Sequence, residues 1–263
     1  MDISTLFRLK GTLDKKTGLV VSIVGFVLLI GVWQAICGFH LIPPSLLPSP
    51  LSVLVAFSEL HFHDALVRNA LYSIKLNLLG YLEAIAIAIP LGFLMGLVPV
   101  IRSATDGYIK AFRFVPLAAA TGLFIAWFGI YDNMKVQFLA VSIVVYLLPV
   151  VIQRLDEVPE VFEQTAYTMG AGRWQMISTV YLPSVLSRIS DDIRVLVAIS
   201  WTYITIAEAL NMTGGIGALC VQCARKSRID KVFAVLLLIV IIGFLQDKLF
   251  SWIDRTLFKF KYS

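Results

Sequence analysis

Apolar residues in this chain come in long runs separated by short polar stretches. Six runs approach the length of roughly 20 residues that a helix needs to cross a bilayer core: Leu19–Phe39, Leu76–Val98, Phe112–Ile130, Val136–Ile152, Ile193–Leu210 and Val232–Phe250. The pattern predicts an all-α membrane protein with six transmembrane helices. A polar, basic tail (residues 1–17) precedes the first run and a second short tail (256–263) follows the last. Between the first two runs, Ile42 to Pro50 reads I-P-P-S-L-L-P-S-P. Proline lacks the N–H that a helix interior needs, so this piece is expected to be extended, with a short surface helix over Leu51–Arg68. Internal repeats are not obvious.

Composition sharpens this picture. The 263 residues are 59% hydrophobic and 15% charged, with a mean hydropathy of +0.85. A soluble domain of this size has no use for so much apolar surface, so the transmembrane domain occupies about residues 18–255. No cleavable signal is evident, because the first run is long enough to span and has no small-residue cleavage site. The net charge of +5 is not a nucleic-acid signature, since the cations cluster near the run ends. With both termini inside, 15 Lys and Arg fall on the inner side and 7 on the outer. The positive-inside rule thus places both termini in the cytoplasm. The Arg225–Lys231 cluster runs against that rule and marks either a surface for an anionic partner or a solvated loop.

The stretch Asp156–Pro183 is the longest amphipathic, charge-bearing segment. Asp156 and Glu157 suit a helix start, and Pro159 suits a first turn. Val161, Phe162, Thr165, Ala166 and Met169 recur at helical spacing. Gly170 and Gly172 permit a turn. Trp174, Ile177, Val180 and Tyr181 then form a second short helical pattern, expected to end before Pro183. Gln164-Thr165-Ala166, Gly170, Val180 and Leu182-Pro183 resemble, in spacing, the E-A-A…G…I-x-L-P coupling loop of permease subunits of bacterial ATP-binding-cassette importers. The departures are Gln164 for Glu, Thr165 for Ala and Val180 for Ile, with Glu163 one position early.

Further fragments carry the resemblance in order: Leu47 to Pro50, Ile89 to Gly96, Trp127 to Ile130, Ala207-Glu208, and the turn Gly214 to Gly217. Together they are similar to the nitrate, sulfonate, taurine and bicarbonate branch over about residues 40–255. Arg113-Phe114-Val115-Pro116-Leu117 departs from that branch's R-P-x-P-P. The resemblance implies a type I importer permease fold with a cytoplasmic coupling helix, in a bacterial inner membrane. It implies that Glu163, Gln164, Ala166, Gly170, Ala171, Leu182 and Pro183 meet a partner ATPase. It further implies a second copy of the permease and a periplasmic or lipid-anchored solute-binding protein. The cargo would be a small anion moved by alternating access. ATP and Mg would sit on the ATPase, with no cofactor on this chain.

Several polar side chains fall within the apolar runs, where they are costly. Glu83 either lines a path or pairs with a neighbouring helix. Glu208 holds an outer loop or gate, or meets water at a helix end. Arg113 either contributes to a path or snorkels to the interface. Trp201 and Thr205 are four apart on one helix face, with Thr202 beside them. The resemblance places these on a path-lining span, and helix packing is the plainer use. Cys220-x-x-Cys223 has no second pair, so the spacing reads as chance and no metal site is expected. His61, His63 and Asp64 read as surface residues. No G-x-x-x-x-G-K-[ST] loop and no nucleophile–base pattern occurs, so the chain reads as a transport subunit, not an enzyme. Two other readings remain open here: a neutral or cationic vitamin-precursor heterocycle as cargo, and an ATP-independent secondary transporter.

Overall fold

The computed structural model describes residue 11 and residues 13–261, so most of the expected N-terminal tail lies outside the described residues. Among those residues the elements are helices joined by turns, with no strand. They are α1 (Lys15–Gly38), α2 (Pro50–His63), α3 (Leu66–Leu97), α4 (Pro99–Phe112), a 3₁₀ turn (Leu117–Ala120), α5 (Thr121–Phe128), α6 (Asp132–Asp156), α7 (Glu160–Thr168), α8 (Arg173–Leu210), α9 (Ile216–Arg225) and α10 (Ile229–Leu257). Among the described residues five helices are long and apolar enough to cross a membrane: α1, α3, α6, α8 and α10. The bent pair α4 with α5 would make a sixth.

The core is α3 laid against α6, with α8 closing over both. The α3 face explains the closeness. Gly80, Ala84, Ala88, Gly92 and Gly96 recur every fourth residue, and a Cβ added at Gly92 would stand 2.5 Å from Val151 Cγ1. Small residues at this spacing let two helix backbones approach, which in lipid replaces the missing hydrophobic drive. Leu139, Ile143, Leu147 and Val151 of α6 fill the seam and are 0% exposed. By contrast, no residue of α1 is buried, and its apolar side chains are left to the bilayer or to another chain. Trp33 Nε1 anchors it by donating to Pro48 O at 3.0 Å.

Four local expectations are corrected. The run Phe112–Ile130 is not a span-length helix: its helical part covers only Leu117–Phe128, and α4, which precedes the run and ends at its first residue, lies at 87° to that piece. Pro116 removes a backbone donor and drives Val115 out of the helical region, so the chain breaks where hydropathy alone saw continuity. Arg113 therefore sits exposed at this corner, not at the start of a span. The second correction concerns α8. The helix opened by Arg173 does not stop before Pro183; it passes through six residues of π-helix, Met176–Tyr181, and continues to Leu210. Leu182 N–H reaches back five residues to Ile177 O, a wide turn that spares Pro183 the clash an α-turn would impose.

Third, Asp156 and Glu157 end α6 and do not cap α7, whose N-cap is Pro159. Fourth, Lys135, one of the seven cations counted on the outer side and placed at a span edge, is fully buried on α6. The expected surface helix is real but short. Ser49 caps it by accepting from Ser52 N–H at 3.2 Å, Pro50 is its first residue, and it ends at His63.

Candidate functional sites at the two ends of the bundle

At one end of the bundle, between α6 and α8, stands α7. It has no buried residue. Glu160 and Glu163 lie in its first turn, where the helix dipole favours negative charge. Its end accounts for the spacing of the motif. Gly170 has φ +83°, its N–H donates to Tyr167 O at 2.9 Å, and Ala171 N–H donates to Ala166 O at 3.0 Å. This is a Schellman stop, in which the residue after the C-cap must be left-handed and glycine fits without strain. Ala166 and Ala171 are thus the two ends of one hydrogen-bonded cap, with Gly170 its left-handed residue. Gln175 then accepts from Gly172 N–H at 2.8 Å and starts α8.

The surface this builds is apolar and open. Phe162 is 50% exposed, Met169 83% and Trp174 76%. Val161, Phe162, Thr165, Ala166, Met169 and Val180 line a groove of about 590 Å³ between α7 and the start of α8. Gln164 is exposed on α7, Glu163 and Ala171 are half-buried, and Leu182 and Pro183 are exposed on the first turn after the π-helix. Thr165 Oγ1 and Thr168 Oγ1 donate to carbonyls of their own helix at 2.6 and 2.9 Å, so no side-chain bond to the bundle ties them down.

The opposite end is polar and closed. Glu208 is fully buried near the end of α8. It accepts from Ser73 Oγ at 2.6 Å and from Gly217 N–H at 2.8 Å, so its carboxylate sits at the N-terminus of α9. Ser73 Oγ in turn accepts from Ile216 N–H at 2.8 Å, and Asn69 Oδ1 accepts from Gly215 N–H at 2.9 Å. Gly215 has φ +100°, and a Cβ there would fall 2.2 Å from the Glu208 carboxyl. Beside this, Lys135 Nζ donates to Thr213 Oγ1 at 2.8 Å and Tyr72 Oη at 3.1 Å, while Tyr72 donates to Asp132. The groups are mutually satisfied, as buried polar atoms must be.

The other sequence candidates are scattered. Glu83 accepts from Gln137 Nε2 at 2.8 and 3.0 Å, an amide partner and not a cation. Trp201 is 4% exposed and donates to Gln246 Oε1 on α10 at 2.8 Å. Thr202 is exposed, and Thr205 Oγ1 donates to Trp201 O at 2.8 Å within its own helix. Two of the four cations in the basic cluster, Arg228 and Lys231, are paired with carboxylates. Arg228 meets Glu59 at 2.7 Å and Asp230 at 2.8 Å, and Lys231 meets Asp64 at 2.5 Å. The Arg228 side chain holds the Glu59 carboxyl below its usual range. Burial pushes the Cys220 and Cys223 thiols up, which keeps them protonated and poor metal ligands. Sequence reasoning passed over Asn69, Tyr72 and Ser73, although their spacing puts three polar groups on one side of the first turns of α3.

The molecule is thus a bundle of long apolar helices with an exposed, capped helix at one end and a closed polar cluster at the other. Comparison with known proteins gives the family. Residues 88–259 match the binding-protein-dependent transport system inner membrane component family, and the chain belongs to it. A taurine transport system permease of Escherichia coli is 29% identical over 245 residues, covering 91% of this chain and 89% of that one. A Bacillus subtilis protein named as an aliphatic sulfonates transport permease is 28% identical over 253 residues, covering 95% and 90%. A nitrate import permease of Synechococcus elongatus is 21% identical over 253 residues, covering 89% and 88%. Among solved structures, a chain of the MetNI methionine transporter in an inward-facing conformation superposes with a TM-score of 0.65 at 21% identity, covering 73% of this chain and 95% of that one. The fold is that of type I importer permeases. The chain is accordingly a multi-pass inner-membrane permease subunit of an ATP-driven importer, and ATP hydrolysis belongs to a separate component.

Proposed function

We propose that this permease carries a small oxyanion or sulfonate, of the nitrate, taurine, bicarbonate or aliphatic-sulfonate type, delivered by a periplasmic or lipid-anchored binding protein. The names of its relatives support the cargo class. Two copies of the chain form the path, each offering one α7 to one ATPase subunit, with ATP and Mg held there and no cofactor on this chain. Both termini face the cytoplasm, on the same side as α7. Glu163, Gln164, Ala166, Gly170, Ala171, Leu182 and Pro183 form the ATPase-facing surface. The exposed Thr202, together with Thr205, Glu83 and Arg113, is assigned to the path or its flanks. Trp201 and Glu208 hold the helices that frame it.

One observation carries this reading: α7 is a capped helix with an exposed apolar face and no fully buried residue, held between two long spans. An exposed apolar patch on a polar side of a membrane protein needs a protein partner. ATP-driven closure of the ATPase pair would pull the α7 helices together and rock the bundles, opening the path outward. Purification of the tagged chain from native membranes tests this. Recovery of a stoichiometric ATPase and a second permease copy, and loss of ATP-coupled taurine or nitrate uptake in Gly170→Asp, are expected. A chain recovered alone that still moves a solute would overturn the reading.

A further inference from the structure

Three two-pronged arginine–carboxylate pairs lie at the α7 end of the bundle, and they join its helices in series. Arg102 on α4 meets Asp156 at the end of α6, with both guanidinium contacts at 2.6 Å. Arg154, two residues earlier on α6, meets Asp192 on α8 with both contacts at 2.7 Å. Arg194, two residues further along α8, meets Asp247 on α10 at 3.0 and 3.2 Å. The same end carries a tie to the α7 connection itself. Glu157 accepts from Arg154 Nη1 at 2.6 Å, and its backbone carbonyl accepts from Arg188 Nη1 at 2.9 Å.

Stability alone is a poor account of this arrangement. The residues are partly exposed, from 19% to 47% across the three pairs, and exposed pairs contribute little to folding. What the forked geometry does supply is direction. Two parallel N–H···O bonds resist rotation and sliding where one would not. The joints also fall where a load enters. Asp156 and Glu157 are within four residues of Glu160, the first residue of α7. Packing does not duplicate this service at α4 and α7, which bury no residue, while α6, α8 and α10 also share the buried core and there the pairs add direction to the contact.

We infer that the chain of pairs Arg102–Asp156, Arg154–Asp192 and Arg194–Asp247 transmits displacement of α7 to α4, α8 and α10, so that the inner ends of four helices move as one body. Arg102, Arg154, Asp156 and Asp192 are thus positioning residues for transport. This rests on the reading of α7 as the ATPase-docking helix.

The test uses the permease–ATPase complex in lipid nanodiscs, with a spin label at Tyr167→Cys on α7 or at Ser103→Cys on α4 and Cys37, Cys220 and Cys223 replaced by serine. The distance between the two copies is read with and without ATP and vanadate. In the otherwise unaltered chain both positions shift on trapping. In Asp156→Asn, Tyr167 still shifts and the shift at Ser103 is lost, with ATP hydrolysis retained. The exchanged pair Arg102→Asp with Asp156→Arg restores it, and an unchanged unfolding temperature of Asp156→Asn separates lost transmission from lost stability. A Ser103 shift that persists in Asp156→Asn overturns the transmission chain and leaves the docking reading intact. Absence of any shift at Tyr167 in the unaltered chain overturns both.

Discussion

Glu208 accepts the hydroxyl proton of Ser73 at 2.6 Å across the contact of α8 with α3, and neither side chain is exposed. The same carboxylate takes Gly217 N–H, so one buried acid joins two spans to the start of α9. Ser73→Ala leaves a buried carboxylate and the Ile216 N–H each short of a partner. A loss of about 1–3 kcal/mol is expected, read as a lower unfolding temperature of the purified permease in detergent. Glu208→Gln keeps an acceptor and is expected to fall between Ser73→Ala and Glu208→Ala.

Close approach of α3 and α6 sets a second expectation. A methyl group at Gly92 would overlap Val151 Cγ1 and Cβ, at 2.5 and 2.6 Å. Gly92→Ala is expected to cost about 1–3 kcal/mol, as overpacking of a tight seam does. Gly243→Ala on α10, where a Cβ meets nothing within 4 Å, is the matched control and is expected to be neutral. Thermal unfolding of both variants checks the contrast.

Gly170 has open space around it, so its requirement is conformational and not steric. At φ +83° a branched side chain is strained by about 1–2 kcal/mol, and asparagine by less. Gly170→Val is expected to fray the end of α7 and weaken ATPase association by roughly tenfold, the equivalent of about 1.4 kcal/mol. Gly170→Asn should recover part of the loss. Titration of immobilised permease with its ATPase distinguishes the two.

The join of α6 to α7 carries a pH dependence. Hydrogen bonds from Arg154 and Gln153 hold the Glu157 carboxyl below its usual value. A depressed folded-state value means that stability is fully present above the unfolded value of about 4.3 and is lost as pH falls through the folded one. Amide exchange over residues 157–170 is expected to be flat from neutral pH down to that unfolded value, after correction for intrinsic rates, and to quicken below it. Glu157→Gln should exchange faster at neutral pH and lose the acid-dependent step. An identical profile in the two proteins would remove Glu157 from the account.

How much of this was legible beforehand varied by position. Long apolar runs read directly as helices, because covering a bilayer core takes many consecutive apolar residues whatever the neighbours do. The α7 motif was also legible, since Ala166 and Gly170 belong to a cap formed within the six consecutive residues 166–171. Its continuation was not. Pro183 reads as a stop by itself, and only the widened π-turn that absorbs it keeps α8 running.

Sequence by itself determined the all-helical membrane class, five of the six expected spans and the place of α7, because each is fixed by local composition or by bonds within a few residues. Tertiary structure decided the partners of the polar groups. Ser73 and Glu208 are 135 residues apart, Asn77 and Ser200 are 123 apart, and no periodicity connects them. It also decided that α4 and α5, on either side of the corner before Pro116, lie at 87°, and that Lys135 lies inside the bundle. Buried charges and kinks answer to what packs against them, and that is set only when distant segments meet.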